Sequence, residues 1–115
     1  MPRIIIVTFL LIVTGCGFIG GDDKMNLILA CKDGDIEKVR HYLDKVVSPN
    51  FISLKGDTPL NTAIYNRHLD VIEVLIASGA SCSLKDEAGE APLALAKKIA
   101  DSAILNYLES KGGCK

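Results

Sequence analysis

Gly56-Asp57-Thr58-Pro59-Leu60 returns in weakened form as Gly89-Glu90-Ala91-Pro92-Leu93, a step of 33 residues. The residues that follow keep the same register. Ala63 falls on Ala96, Ile72 on Leu105, Leu75 on Leu108 and Gly79 on Gly112. One step back, Ala30 falls on Ala63, Ile36 on Leu69, Val39 on Ile72 and Leu43 on Ile76. A fixed period of this length marks a stack of repeated supersecondary units.

The local chemistry explains what recurs. Gly56 supplies the positive φ or close backbone approach of a tight turn. Thr58 has the hydroxyl of a helix N-cap, and Pro59 suits the first helical position, where no N–H is needed. Leu60, Ala63 and Ile64 then form an apolar stripe at helical spacing. Leu69, Ile72, Leu75 and Ile76 repeat that stripe on a second helix, which Gly79 terminates. A helix pair this small cannot hide its own apolar face, so successive units must stack. The expected fold is therefore all-α, a solenoid of about three stacked helix-turn-helix repeats. They span residues 25–55, 56–88 and 89–112, followed by a tail at 113–115.

These residues resemble the ankyrin repeat, whose pattern runs from Gly-x-Thr-Pro-Leu-His through two short helices to Gly-Ala and a hairpin. Residues 56–86 match closely, with Gly79-Ala80 in place and Asn61 where the family prefers His. The resemblance extends over residues 25 to about 112. The outer repeats depart from it. The first has no Thr-Pro-Leu opening, and Val46-Val47-Ser48-Pro49 replaces its Gly-Ala exit. Arg67-His68 replaces Gly-His in the second. In the third, Ala91 removes the capping hydroxyl, a loss of about 1 kcal/mol, and Ala94 takes the His position. Terminal repeats face solvent on one side, so such decay fits a cap.

Ahead of the repeats, Arg3 precedes the ten-residue apolar run Ile4 to Val13. That run is shorter than the roughly 20 residues of a transmembrane helix and has the length of a signal-peptide core. Val13-Thr14-Gly15-Cys16 resembles the lipobox of bacterial lipoproteins. The resemblance implies a signal peptide over residues 1–15, cleavage before Cys16 and acylation of its thiol. It further implies a periplasm-facing chain held on a membrane, with Gly17 favouring the outer one. Residues 16–24, rich in Gly and Asp, read as the lipidated cysteine and a flexible tether.

The full chain carries a formal charge of −1, and removal of Arg3 with the leader takes it to −2. Nucleic acid would call for a clustered basic face instead. Neither His41 nor His68 belongs to a metal-binding or catalytic spacing, and no P-loop, CxxC or GxSxG pattern occurs. The expectation is a non-enzyme with no cofactor, no metal and no small-molecule substrate. Cys31, Cys82 and Cys114 remain after Cys16. Cys31 occupies an apolar register position and suits a buried thiol. Three is an odd number, so at least one thiol stays free or pairs with another molecule. A Cys82–Cys114 bridge and two unpaired thiols are both open.

In ankyrin stacks, partners are held by the hairpin tips and the inner face of the first helices. By register the resemblance assigns this surface to Lys32 and Asp33, then to Ile52, Leu54, Lys55, Asp57, Tyr65 and Asn66. In the third repeat it assigns Lys85, Glu87, Ala88, Glu90, Lys97 and Lys98. Phe51, Ile52 and Leu54 place apolar groups on a tip that is usually polar. They form an interface anchor, or Phe51 and Leu54 fold under against the first repeat; the residues leave both open. The protein partner implied by a small lipid-anchored ankyrin chain is a toxic secreted effector, such as a membrane-directed lipase, neutralised by an immunity protein. An envelope scaffold or adaptor, or a regulator of a periplasmic enzyme, is the alternative.

Overall fold

The computed structural model describes residues 23–46 and 48–111. The expected leader at 1–15, Cys16, the start of the tether and the tail with Cys114 lie outside the described residues. Six α-helices form three antiparallel pairs, and no strand occurs among the described residues. The first pair is α1 (Asp23–Asp33) and α2 (Ile36–Leu43). The second is α3 (Pro59–Tyr65) and α4 (Leu69–Ala77). The third is α5 (Pro92–Ile99) and α6 (Ser102–Asn106), which continues as a π-helical turn over Tyr107–Lys111.

Three of the helices start on a side-chain cap. Thr58 accepts a hydrogen bond from the Asn61 N–H at 3.0 Å, and Pro59 follows in the first turn. Asp35 caps α2 through the Lys38 N–H at 3.2 Å, and Asp101 caps α6 through the Ile104 N–H at 3.2 Å. Ala91 makes no cap bond, as its missing hydroxyl requires, and Pro92 alone marks the start of α5. The end of α4 is closed by Gly79 N–H to Ile76 O and Ala80 N–H to Leu75 O, the two bonds of a Schellman motif.

The turn inside each pair reveals a constraint shared by all three repeats. Gly34, Arg67 and Ala100 occupy the same register position and have φ of 74°, 62° and 56°. This is the left-handed region, which costs a residue with a Cβ about 1–2 kcal/mol. Only the first repeat meets the requirement with glycine. There a Cβ would also lie 2.7 Å from the His68 ring of the next repeat.

The helix pairs stack so that equivalent positions meet in one core. Ala30, Ala63 and Ala96 are all buried, and their small side chains let the first helices approach closely. Val39 and Ile72, and Leu75 and Leu108, are buried at equivalent positions of the second helices. Polar side chains join neighbouring repeats, among them Arg67, whose guanidinium lies 3.9 Å from the Asp101 carboxylate. His68 Nε2 lies 3.0 Å from Lys32 O. The Asn50 amide donates to Gly79 O at 2.9 Å and accepts from the Ser81 N–H at 2.7 Å. Asn61 Nδ2 donates to Glu90 O at 2.9 Å. Where hairpins are expected, the chain makes tight turns. Ser53 N–H bonds Asp57 O at 2.7 Å, and Asp86 N–H bonds Glu90 O at 3.1 Å. Glu87 N–H donates to Gly56 O at 3.0 Å and ties the two tips together.

Urea unfolding checks both features of this stack. Leu75→Ala removes a side chain with no solvent exposure and should cost about 2–5 kcal/mol. Ala100→Gly relieves the left-handed strain and should raise stability by about 0.5–1 kcal/mol after the entropy of glycine is deducted. A Leu75→Ala midpoint equal to the parent's would place that residue outside the core.

Candidate protein-binding face

The inner faces of α1 and α3 and the two tips enclose an open groove of about 350 Å³. It gathers Lys32, Lys55, Asp57, Tyr65, Asn66 and Glu90 from the surface assigned by register. Leu29, Asn61 and Asp86 also line it, and the register had not assigned them to the binding surface. Leu29 is 47% exposed and Tyr65 68% exposed, so two large apolar side chains flank the groove in contact with water.

The polar side chains around them are held in place. Asn66 Nδ2 donates to Thr62 O at 2.8 Å, which turns that amide back onto its own helix. Glu90 pairs with Lys98 at 2.8 Å, and this hydrogen bond to a carboxylate raises the Lys98 pKa. Asp86 accepts from the Glu90 N–H at 2.9 Å and from Asn61 Nδ2 at 3.3 Å. The Asn61 amide is therefore fixed in orientation, since both of its Nδ2 contacts are acceptors. Its Oδ1 is buried without a hydrogen-bond partner among the described residues.

The remaining assigned residues lie elsewhere. Lys97 is exposed on α5, and Lys85, Glu87 and Ala88 are exposed on the second tip, none of them lining the groove. Glu87 packs its side chain over Gly56. Asp33 is exposed at the end of α1. The first tip divides the two alternatives left open by the sequence. Phe51 is packed against the core with Lys24 Nζ 5.4 Å from its ring centre, which is the folded-under alternative. Leu54 instead is 99% exposed and Ile52 47% exposed. The reason is the intervening turn, in which Ser53 Oγ accepts from the Lys55 and Asp57 N–H groups at 3.2 Å each. That turn points the two neighbours in different directions.

Neither histidine enters the groove. His41 stacks edge-on against Tyr42 at 4.8 Å, and His68 serves the inter-repeat bond to Lys32 O. Among the described residues, no group of three or more His, Cys, Asp or Glu could hold a metal ion, and no helix is long and apolar enough to cross a membrane. Cys31 is a free thiol in the core, and Cys82 is disulfide-bonded, its partner lying outside the described residues. The pairing of Cys82 decides against a fully unpaired set of thiols.

Comparison with known proteins agrees with the stack. Residues 6–114 match the family model for ankyrin repeats in three copies. The chain belongs to the ankyrin-repeat family. It is 32% identical over 74 residues to an ankyrin repeat-containing protein of Schizosaccharomyces pombe, covering 64% of this chain and 36% of that protein. A probable 26S proteasome regulatory subunit, p28, of Saccharomyces cerevisiae is 30% identical over 82 residues, covering 70% of this chain and 36% of the subunit. A putative ankyrin repeat protein of Rickettsia bellii is 28% identical over 89 residues, covering 72% of this chain and 53% of that protein. The chain thus spans about a third of these first two relatives. Ankyrin repeats mediate protein–protein interaction and are typically non-catalytic modules.

Burial makes a prediction for the thiols of this ankyrin stack. It pushes Cys31 up to about 12, so only about one thiol in ten thousand is ionised at pH 8. Iodoacetamide applied to the folded, reduced protein at pH 8 should modify Cys82 and spare Cys31. Mass spectrometry of the digested protein reads the outcome, and equal labelling of the two would contradict the burial of Cys31.

Proposed function

We propose that this protein is a non-catalytic, lipid-anchored inhibitor that faces the periplasm and binds a toxic secreted effector, such as a membrane-directed lipase, acting as an immunity protein. The observation that carries the binding role is the groove, where Leu29 and Tyr65 stand exposed above a fixed polar floor. Exposed apolar and aromatic groups beside a concave face are the usual energetic anchors of an interface. The charged residues around them, Lys32, Lys55, Asp57 and Glu90, form the rim that sets register and association rate.

The anchor rests on Val13-Thr14-Gly15-Cys16 after an apolar run. Two or three acyl chains hold a protein on a bilayer far better than one. The disulfide at Cys82 supports an oxidising compartment, where such bonds persist. An inhibitor tethered in this way meets a membrane-directed toxin where it acts.

Cell fractionation and processing test the anchor: Cys16→Ala should release or mislocalise the protein, and globomycin should leave an unprocessed precursor. Processing unchanged by the drug would end the lipoprotein reading. The binding role is tested by capture of partners with the intact protein and with Tyr65→Ala. Loss of an aromatic anchor commonly costs about 2 kcal/mol, or roughly thirty-fold in affinity. The melting temperature of Tyr65→Ala should stay unchanged, because the ring is mostly in water. A strain lacking the protein should die on expressing the captured effector. If that strain tolerates every captured protein, the immunity reading fails.

A further inference from the structure

The most exposed large apolar side chain among the described residues is not in the groove. It is Leu54, 99% exposed at the first tip, with Ile52 47% exposed two residues before it. The tip is not a loose loop. Ser53 N–H donates to Asp57 O at 2.7 Å, Gly56 N–H donates to Ser53 O at 2.9 Å, and the Ser53 hydroxyl accepts two further amide hydrogens. Gly56, at φ 90°, turns the chain beneath the Glu87 side chain, which lies where a Cβ would stand. The fold thus holds a leucine rigidly in water and gains no burial from it.

What lies beside the tip identifies its occupant. Ile52, Ser53 and Leu54 border a second small cavity together with Lys24 and Met25, from the first turn of α1. From Cys16 to Asp23 the chain advances seven residues, which reach at most about 24 Å when fully extended. An acylated Cys16 would therefore keep the first turn of α1, and the tip packed beside it, within that distance of the bilayer. Lys24 and Lys55, both exposed, flank the apolar tip. Lysines so placed extend their stems along apolar surface and set their ammonium groups among anionic headgroups.

We propose that the Ile52–Leu54 tip is a membrane-contact element that dips into the lipid surface and orients the repeat stack upon it, leaving the groove free for the protein partner. This rests on the lipoprotein reading. It reassigns Ile52, Leu54 and Lys55 from partner binding to lipid, and it makes the domain a fixed platform in place of a freely tumbling one. The contact is a shallow one, made by two aliphatic side chains and two lysines, and supplements the acyl anchor.

The chain contains no tryptophan, so Leu54→Trp installs a single reporter at the tip. Glu73→Trp installs one at an exposed site of α4, away from the tip. Each full-length variant is produced in cells, extracted from membranes and reconstituted into phosphatidylethanolamine–phosphatidylglycerol vesicles, with and without brominated acyl chains. Flotation reads the anchor, and emission reads the contact. The expected result is a protein that floats, with blue-shifted and bromine-quenched emission from position 54 and water-like, unquenched emission from position 73. A chain that does not float removes the anchor on which the proposal stands. A chain that floats with unquenched emission at position 54 overturns the tip assignment while leaving the anchor intact. Emission at position 54 that shifts only when a captured protein partner is added assigns the tip to that protein. Equal quenching at both positions also overturns the proposal, since the domain would then lie on the lipid without orientation.

Discussion

No helix pair in this chain can bury its apolar face alone, and every other feature follows from that constraint. Val39, Ile72, Leu75 and Leu108 lose their exposure only because the neighbouring repeat covers them. Each repeat therefore contributes burial to the next, at about 25 cal/mol per Å² of apolar surface removed from water. The stack is a line of mutual debts with two open ends. The middle repeat keeps the Thr58 cap, the Pro59 start and the Gly79 terminator, but its second helix begins at His68 without a side-chain cap, whereas Asp35 and Asp101 cap the second helices of the end repeats. Ala91 in place of a capping hydroxyl is tolerable on a helix pair that needs to match only one neighbour.

Polar side chains add what apolar contact lacks, a definite register between repeats. A smooth apolar face could slide, whereas the Asn50, Asn61 and His68 bonds each fix one neighbour against another. Asn61 illustrates the cost of such a device. Its Nδ2 joins Asp86 at the end of its own repeat and Glu90 at the start of the third, and its Oδ1 is left buried without a donor among the described residues. A buried unsatisfied acceptor costs about 1–3 kcal/mol. The left-handed turns at Arg67 and Ala100 are a second cost, imposed by the same need to fold each pair back on itself. Both arise from the geometry of stacking and not from local sequence preference.

The register was legible because its signals are local and periodic. Thr58-Pro59 starts a helix by its own chemistry, and Leu60, Ala63 and Ile64 declare a face by their spacing. The two-way reading of Phe51 and Leu54 could not be resolved in that manner. Both are large and apolar, and what separates them is a turn built by the Ser53 hydroxyl. Leu29 escaped notice for a different reason. Its register partners are Thr62, which is half-buried, and Leu95, which is buried, so its exposure follows from its place in the end repeat. The Asn61 clamp depends on the Asp86–Glu90 turn that leads into the next repeat, a contact across 25 to 29 residues that no window of sequence displays.

The central claim is that the three repeats form one cooperative unit and not three small ones. Native-state hydrogen exchange under increasing urea tests it most directly. The amide of Val39 donates to Asp35 O in the first repeat, and that of Ile72 donates to His68 O in the second. Leu95 in the third donates to Ala91 O. Mutual burial predicts that the opening free energies of these three amides converge on one isotherm and fall together to the global unfolding transition. Three separate isotherms, with the third repeat opening while Val39 stays protected at its full value, would contradict the account.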